Sequence, residues 1–251
     1  MEEQVTWSPW HGCHKYSEGC ANCFVYAMDK RYGRDTNTVH RTKTVFNVPI
    51  EKTRYGFYKH PSGTRFKTCF TSDFFIEEAD EWRDEAWKII KERSDCIFVI
   101  ATKRIDRMND HLPADWDSGY NNVIIAVSCE NQAVADYRLP ILVSLPIKHR
   151  WIFVSPMLEY VDTTKYLATG KIEKLLCGGE ACKNARTCKG EWVEQLYLDA
   201  KKYKLPFEFH QTGSSFEYRE ELQHYNPRYE YQNAQKFQQY LITKYEQRKE
   251  I

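Results

Sequence analysis

The sequence predicts an α/β fold in which parallel strands alternate with helices and close into a complete or partial (β/α) TIM-like barrel. Three observations predict it. Six short runs after residue 66 are rich in Val, Ile, Phe and Leu without polar alternation, as strands buried on both faces require. Crossover-length segments, several with helical patterning, separate these runs, which implies β-α units and a parallel sheet. No GxGxxG follows a first strand and no P-loop occurs, which disfavours the doubly wound alternative.

The elements follow in order. A short strand is expected around residues 5–7, and a cysteine-bearing loop follows it over 11–24. Residues 30–67 read as a basic and aromatic insertion, with ten Lys or Arg against Asp35 and Glu51, a balance of ten minus two, or +8. The strand runs are then FKTCFTSD, CIFVIATKR, NVIIAVSCEN, RWIFVSPM, EKLLCGGE and PFEFHQTG. Residues 77–93 open with six carboxylates in nine positions and close on Lys88, Lys91 and Arg93, the order a helix dipole favours. Residues 191–204 form a second amphipathic helix, stopped at Leu205-Pro206. The expected layout is a barrel domain over 1–215 and a C-terminal extension over 216–251 packed on it. That extension is polar and tyrosine-rich, a loop and then a helix within NAQKFQQYLITKYEQRK.

Composition bounds the function. The chain has 251 residues, 42% of them hydrophobic, enough for a sizeable core, and a net charge of +1 that by itself selects no partner. There is no run of eighteen apolar residues, and MEEQVTWSPW lacks the basic and apolar regions of a signal peptide. A cytoplasmic protein with no membrane association is expected, its thiols kept reduced. Nine cysteines then point to metal, catalysis or buried apolar thiols rather than to disulfides.

A barrel collects function at the carboxyl ends of its strands. Those ends read Asp73, Lys103-Arg104, Glu130-Asn131, Ser155, Glu180 and His210-Gln211. Asp73, Ser155, His210 and Gln211 are expected to face substrate, together with Arg41, Lys43 and Arg54 of the basic segment. Basic residues mixed with aromatics can follow a phosphate backbone and stack bases, so a nucleic acid or nucleotide is the expected substrate. The bland alternative is a solvated, partly ordered insertion anchored by a few aromatics. Lys103 and Arg104 suit a carboxylate or phosphate, or a strand-end salt bridge. Glu130, with Ser128 beside it, suits a ribose or an ammonium group, or a helix cap. Cys69, Cys96 and Cys129 belong to the core, and Trp7 and Trp10 pack the cysteine loop.

The loop HGCHKYSEGCANCF places Cys13, Cys20 and Cys23 within eleven residues. A thiolate pair two residues apart can grip one ion or cluster edge. Spacing leaves zinc, with His11 or His14 as fourth ligand, and a three-cysteine iron–sulfur cluster both open; unligated buried thiols are the alternative to either. Gly12 and Gly19 each precede a cysteine and let the loop wrap tightly, and Phe24 can shield it. Gly178-Gly179-Glu180 exposes backbone groups and one carboxylate, a means of holding an ammonium group, or else a tight turn before a helix.

TWSPWHGCHKYSEGCANCF, TSDFF, ATKRIDRM, CENQAVADYRLP, CGGEACKNAR and FEFHQTG together resemble the bacteriophage and bacterial three-cysteine-motif proteins, a family of largely unknown function that is similar to radical S-adenosylmethionine enzymes. The resemblance runs from about residue 5 to 216. It implies a 4Fe-4S cluster on Cys13, Cys20 and Cys23, with one iron open to the methionine moiety of S-adenosylmethionine. One electron then cleaves the sulfonium, and the resulting 5′-deoxyadenosyl radical abstracts hydrogen from substrate. It also implies an electron donor of flavodoxin or ferredoxin type, and cofactor contacts at Gly178, Gly179, Glu180, Glu130, Lys103, Arg104 and Ser128. Three features depart from the pattern, one being Ala181-Cys182 where the phage family usually reads GGESG. The spacing is Cys-x6-Cys-x2-Cys rather than CxxxCxxC, and Gly-Gly-Glu ends about the sixth strand rather than the second. Cys177, Cys182 and Cys188 raise the question of a second cluster. The alternatives are a zinc-dependent nucleic-acid-binding or -processing protein and a non-catalytic cluster-bearing sensor or adaptor acting with a partner protein.

Overall fold

The computed structural model describes residues 3–246; the ends of the chain, including the last residues of the expected terminal helix, lie outside the described residues. In chain order the strands are β1 (Gln4–Trp7), β2 (Trp10–His11), β3 (His40–Arg41), β4 (Arg65–Thr68), β5 (Ile97–Thr102), β6 (Val123–Ser128), β7 (His149–Val154), β8 (Lys174–Gly178), β9 (Cys188–Lys189), β10 (Phe207–Gln211), β11 (Ser215–Tyr218) and β12 (Glu221–His224). The helices are α1 (Phe24–Arg31), α2 (Asp80–Glu92), α3 (Gln132–Ser144), α4 (Thr164–Leu167), α5 (Gly190–Lys202) and α6 (Glu230–Glu246). The main sheet has seven parallel strands in the order β1-β4-β5-β6-β7-β8-β10. The order is open at β1 and β10, so the described residues form a partial and not a closed barrel sheet.

The chain divides into two compact units. One comprises Met1–Tyr16, Met28–Val127 and Ile141–Arg150; the other comprises Ser17–Ala27, Ser128–Pro140 and Trp151–Ile251.

In the first unit, β1, β4, β5 and most of β6 lie side by side, with Val5 opposite Phe66, Phe66 opposite Phe98, and Phe98 opposite Val123. β6 is buried along its whole length, which explains its unbroken apolar sequence. The rings of Phe66 and Phe98 stack at 5.0 Å, and Trp7 meets Phe98 edge-on at 5.4 Å. α2 turns Ala86, Trp87, Ile89 and Ile90 inward, and Trp87 packs on Phe74 and Trp116. The 30–67 segment is anchored to the rest of the unit at several points. Trp7 donates to the Phe46 carbonyl at 3.0 Å, and buried Arg93 donates to the carbonyls of Pro49 and His60. Its last residues, Arg65 and Lys67, belong to β4.

In the second unit, β7, β8 and β10 run parallel, with Val154 and Phe209 both opposite Cys177. A small sheet of β9, β11 and β12 adds to them, and α6 packs along β10, where Gln238 bridges the backbone of Phe207 and Phe209. The β11–β12 hairpin occupies part of the tail expected to be loop. Its two-residue turn is Arg219-Glu220, both in the left-handed region at φ 53° and 66°. No helix of the described residues is long and apolar enough to cross a membrane.

Candidate functional site

The cysteine loop begins in the first unit, at the end of β2. Gly12 takes φ +95°, and a Cβ there would lie 2.7 Å from the Thr38 carbonyl, so only glycine fits the turn. The Gly12 N–H donates to Thr71 O and the Cys13 N–H to Thr36 O, while Ser72 donates to Gly12 O. Trp10 is fully buried and donates to the Asp73 carbonyl at 2.9 Å. Trp7, also fully buried, packs on Phe98.

Asp73 and Arg104 organise this end of the strands. The Asp73 carboxylate accepts from Thr102 Oγ1 at 2.7 Å, the Lys103 N–H at 2.8 Å and the Phe75 N–H at 3.0 Å. It thus locks the turn after β5 and has three local donors instead of facing only a substrate. Arg104 is buried. Its guanidinium donates to His14 O at 3.1 Å, lies 3.8 Å from Cys13 Sγ and covers the Tyr16 ring at 4.8 Å. The histidines considered as a fourth zinc ligand are both engaged by carboxylates. His11 Nε2 lies 2.9 Å from both oxygens of buried Asp29, and His14 pairs with Glu78.

The rest of the loop belongs to the second unit, where two buried carboxylates hold it. Gly19 donates its N–H to Glu130 Oε1 at 3.0 Å, and a Cβ on Gly19 would lie 2.9 Å from the Glu130 carboxyl carbon. Glu130 is fully buried and paired with Arg138 at 3.1 Å. Arg138 also donates to Ser128 O at 2.7 Å and Ser17 Oγ at 3.0 Å. Glu180 accepts from Asn22 Nδ2 at 2.9 Å, from the Arg186 N–H at 2.8 Å and from the Arg186 guanidinium. Arg186 reaches on to Glu18, which also accepts from Asn131. Cys20 is buried and Cys23 half-buried on this braced segment.

Arg138 and Arg186 were not among the residues the sequence singled out. Each pairs with one that was. Burial acts to raise the Glu180 carboxyl pKa, but the hydrogen bonds from Arg186 and Asn22 outweigh it and hold the group below its ordinary 4.5. A carboxylate with a depressed folded-state pKa contributes stability above its unfolded pKa, and that contribution is lost as pH falls through the folded value. The expected result is a thermal-midpoint difference between wild type and Arg186→Met that is present near neutral pH and vanishes in acid below 4.5. Paired melts from about pH 7 to about pH 3 check it, and a pH-independent difference contradicts it.

The remaining expected residues divide. His210 Nδ1 lies 3.0 Å from Cys177 O and the ring packs edge-on against Phe153, while Gln211 donates to Gly179 O at 2.6 Å. Ser155 donates its N–H to Phe153 O at the end of β7. Arg41 pairs with Glu85 and covers Phe46, whereas Lys43 and Arg54 are exposed. Cys69, Cys96 and Cys129 are buried. Burial pushes up the Cys177 thiol and raises that of Cys188 to about 12, so these two behave as core thiols. Cys182 is half-buried, and burial raises its thiol too.

None of the nine cysteines is in a disulfide, and the three in the loop are a donor set that suits a soft metal or an iron–sulfur cluster. Among the described residues no group of three or more His, Cys, Asp or Glu side chains stands assembled to hold a metal ion. The donor chemistry fits such a group; an assembled coordination geometry is not present. The family model described as "protein of unknown function (DUF5131)" matches residues 2–244. The chain belongs to this family. No curated protein and no solved structure matches it. What a member of DUF5131 does must therefore be argued from its own site.

Proposed function

We propose that this DUF5131 protein is an iron–sulfur enzyme of the radical S-adenosylmethionine type, which modifies a nucleic acid or nucleotide. The observation that carries the reading is the loop itself: three cysteines outside any disulfide, on a segment pinned by buried side chains from the carboxyl ends of parallel strands. Cys13, Cys20 and Cys23 would hold a 4Fe-4S cluster. When bound, that cluster supplies the single electron that cleaves S-adenosylmethionine, delivered to it by a flavodoxin- or ferredoxin-like donor.

The chain's own residues shape and hold the loop. Glu130 with Arg138 fixes Ser17 and Gly19 around Cys20, and Glu180 with Arg186 fixes Glu18 and Asn22 beside Cys23. Arg104 puts a fixed positive charge beside Cys13, whose sulfur must be a thiolate to bind metal. Glu180 is already occupied by a guanidinium, so a ligand ammonium group reaches it only by displacing Arg186.

The test is anaerobic reconstitution with iron and sulfide, followed by iron, sulfide and zinc analysis and an absorption spectrum. About four irons per chain and a broad visible band are expected, both lost in Cys13→Ala, Cys20→Ala and Cys23→Ala and retained in Cys182→Ala. Reduction in the presence of S-adenosylmethionine should then yield methionine and 5′-deoxyadenosine. Stoichiometric zinc without iron overturns the reading in favour of a zinc protein. A cluster that never cleaves S-adenosylmethionine leaves a sensor or adaptor.

A further inference from the structure

Within the first unit, residues 51–59 form a short hairpin that the loop chemistry does not use. It is closed by the Lys52–Tyr58 bridge, by Lys59 N–H to Glu51 O at 2.8 Å and by Thr53 N–H to Phe57 O at 2.7 Å. Its base is rigid. The Tyr58 ring lies between Lys52 at 5.0 Å and the buried Arg93 guanidinium at 4.1 Å, and its hydroxyl donates to Glu92. The tip is Arg54-Tyr55-Gly56-Phe57. Gly56 sits at φ +85° with open space around it, and the Tyr55 and Phe57 rings on either side are 69% and 73% exposed.

Two large aromatic side chains held in water one residue apart on a hydrogen-bonded turn form an exposed apolar patch of the kind that marks an interaction site. The surrounding charge identifies its chemistry. Arg54 covers the Tyr55 ring at 4.6 Å and donates to its hydroxyl, and among the described residues no ion pair joins Arg54 or Lys52 to a carboxylate. The same pairing recurs at Arg34 over Tyr32, another exposed ring of the basic segment. Exposed aromatic rings with cations held beside them and not neutralised by carboxylates suit an anionic polymer carrying flat, accessible bases. A duplex hides those faces inside its stack.

We propose that the 51–59 hairpin is a docking surface for single-stranded nucleic acid, with bases stacking on Tyr55 and Phe57 and phosphates meeting Lys52 and Arg54. This deepens the substrate half of the proposed function and rests on it, but it requires nothing of the cluster. The test is fluorescence anisotropy of the full chain with labelled single-stranded DNA and RNA, and with duplex DNA, at about 50 and 200 mM salt. Two to three phosphate contacts predict a roughly tenfold loss of affinity between those salts. Tyr55→Ala and Phe57→Ala should each weaken binding about tenfold or more, and Arg54→Gln should weaken it and flatten the salt slope. Tyr231→Ala, an exposed tyrosine of α6, serves as the control. Because these side chains are exposed, the variants should fold as wild type, and matched iron contents separate failure here from failure of the cluster. No binding at low salt, duplex preferred over single strands, or affinity unchanged in the double Tyr55→Ala/Phe57→Ala variant each overturns the proposal. Capture of a protein through the same tip, with no oligonucleotide binding, would assign it to a protein partner instead.

Discussion

Arg138→Met should destabilise the protein by about 3 to 5 kcal/mol, the cost of removing one partner from a buried ion pair. Glu130 is 0% exposed and its Arg138 partner 1%, so the carboxylate left behind cannot recruit bulk water in place of the guanidinium. The loss is more than one contact. The same guanidinium supports the Ser128 carbonyl at the end of β6 and the Ser17 hydroxyl at the start of the braced cysteine segment. Urea unfolding measures the first effect as a lowered midpoint at unchanged slope. Limited proteolysis reads the second, as faster cleavage within Ser17–Ala27 under native conditions. Glu130→Gln added to Arg138→Met removes the stranded charge while keeping an acceptor for Gly19, and should restore a large part of the stability. A single-variant loss below about 1 kcal/mol would mean that the pair is hydrated and does not brace the loop.

That pair also shows what the sequence could and could not convey. Parallel strands buried on both faces announce themselves as unbroken apolar runs, and so β4 to β8 and β10 were legible, as were α2, α5 and α6 from amphipathic period and charge order. α3 was not singled out. Its sequence QAVADYRLPILVS is apolar on most sides and contains Pro140, so no clear stripe marks it. The β11–β12 hairpin was missed because its turn is Arg219-Glu220, where a glycine or asparagine normally advertises the left-handed conformation. At the site, the cysteines and strand-end carboxylates were legible by residue type. Their partners were not: Arg138 is one charge in an apolar helix and Arg186 one of several in a polar loop, and pairing depends on tertiary placement. Charge counting over 30–67 has the same blind spot, since it cannot see that Arg41 pairs with Glu85, a residue outside the segment. The solitary arginine in the apolar stretch YRLPILVS was the one available signal, because a buried cation must have a partner.

The two glycines of Gly178-Gly179-Glu180 should differ sharply when each is replaced by alanine, and the difference separates packing from ligand binding. A Cβ on Gly179 would lie 2.3 Å from the Thr212 carbonyl oxygen and 2.9 Å from Cys188 Cβ. Those are backbone and fully buried neighbours, fixed in turn by Gly179 N–H to Gln211 O at 3.0 Å and by Gln211 Nε2 to Gly179 O. The clash can be relieved only by moving β10 and the turn after it away from β8, and overpacking of that kind costs about 3 kcal/mol. A Cβ on Gly178 meets the His210 ring instead, 2.2 Å from its Cε1. A side chain can rotate where a backbone cannot. Gly178→Ala should therefore cost about 1 to 2 kcal/mol, the loss of the His210 contact to Cys177 O and its packing on Phe153. Gly213 completes the reason for so much glycine here: at φ +77° its own Cβ position lies 2.8 Å from the Glu180 nitrogen, so two chain segments cross with no room for side chains. Chemical denaturation of both variants, with His210→Ala/Gly178→Ala as the relieved double variant, ranks these costs. Equal and negligible losses would show that the strand ends are looser than this crossing requires, and would return the glycines to a role in admitting a ligand.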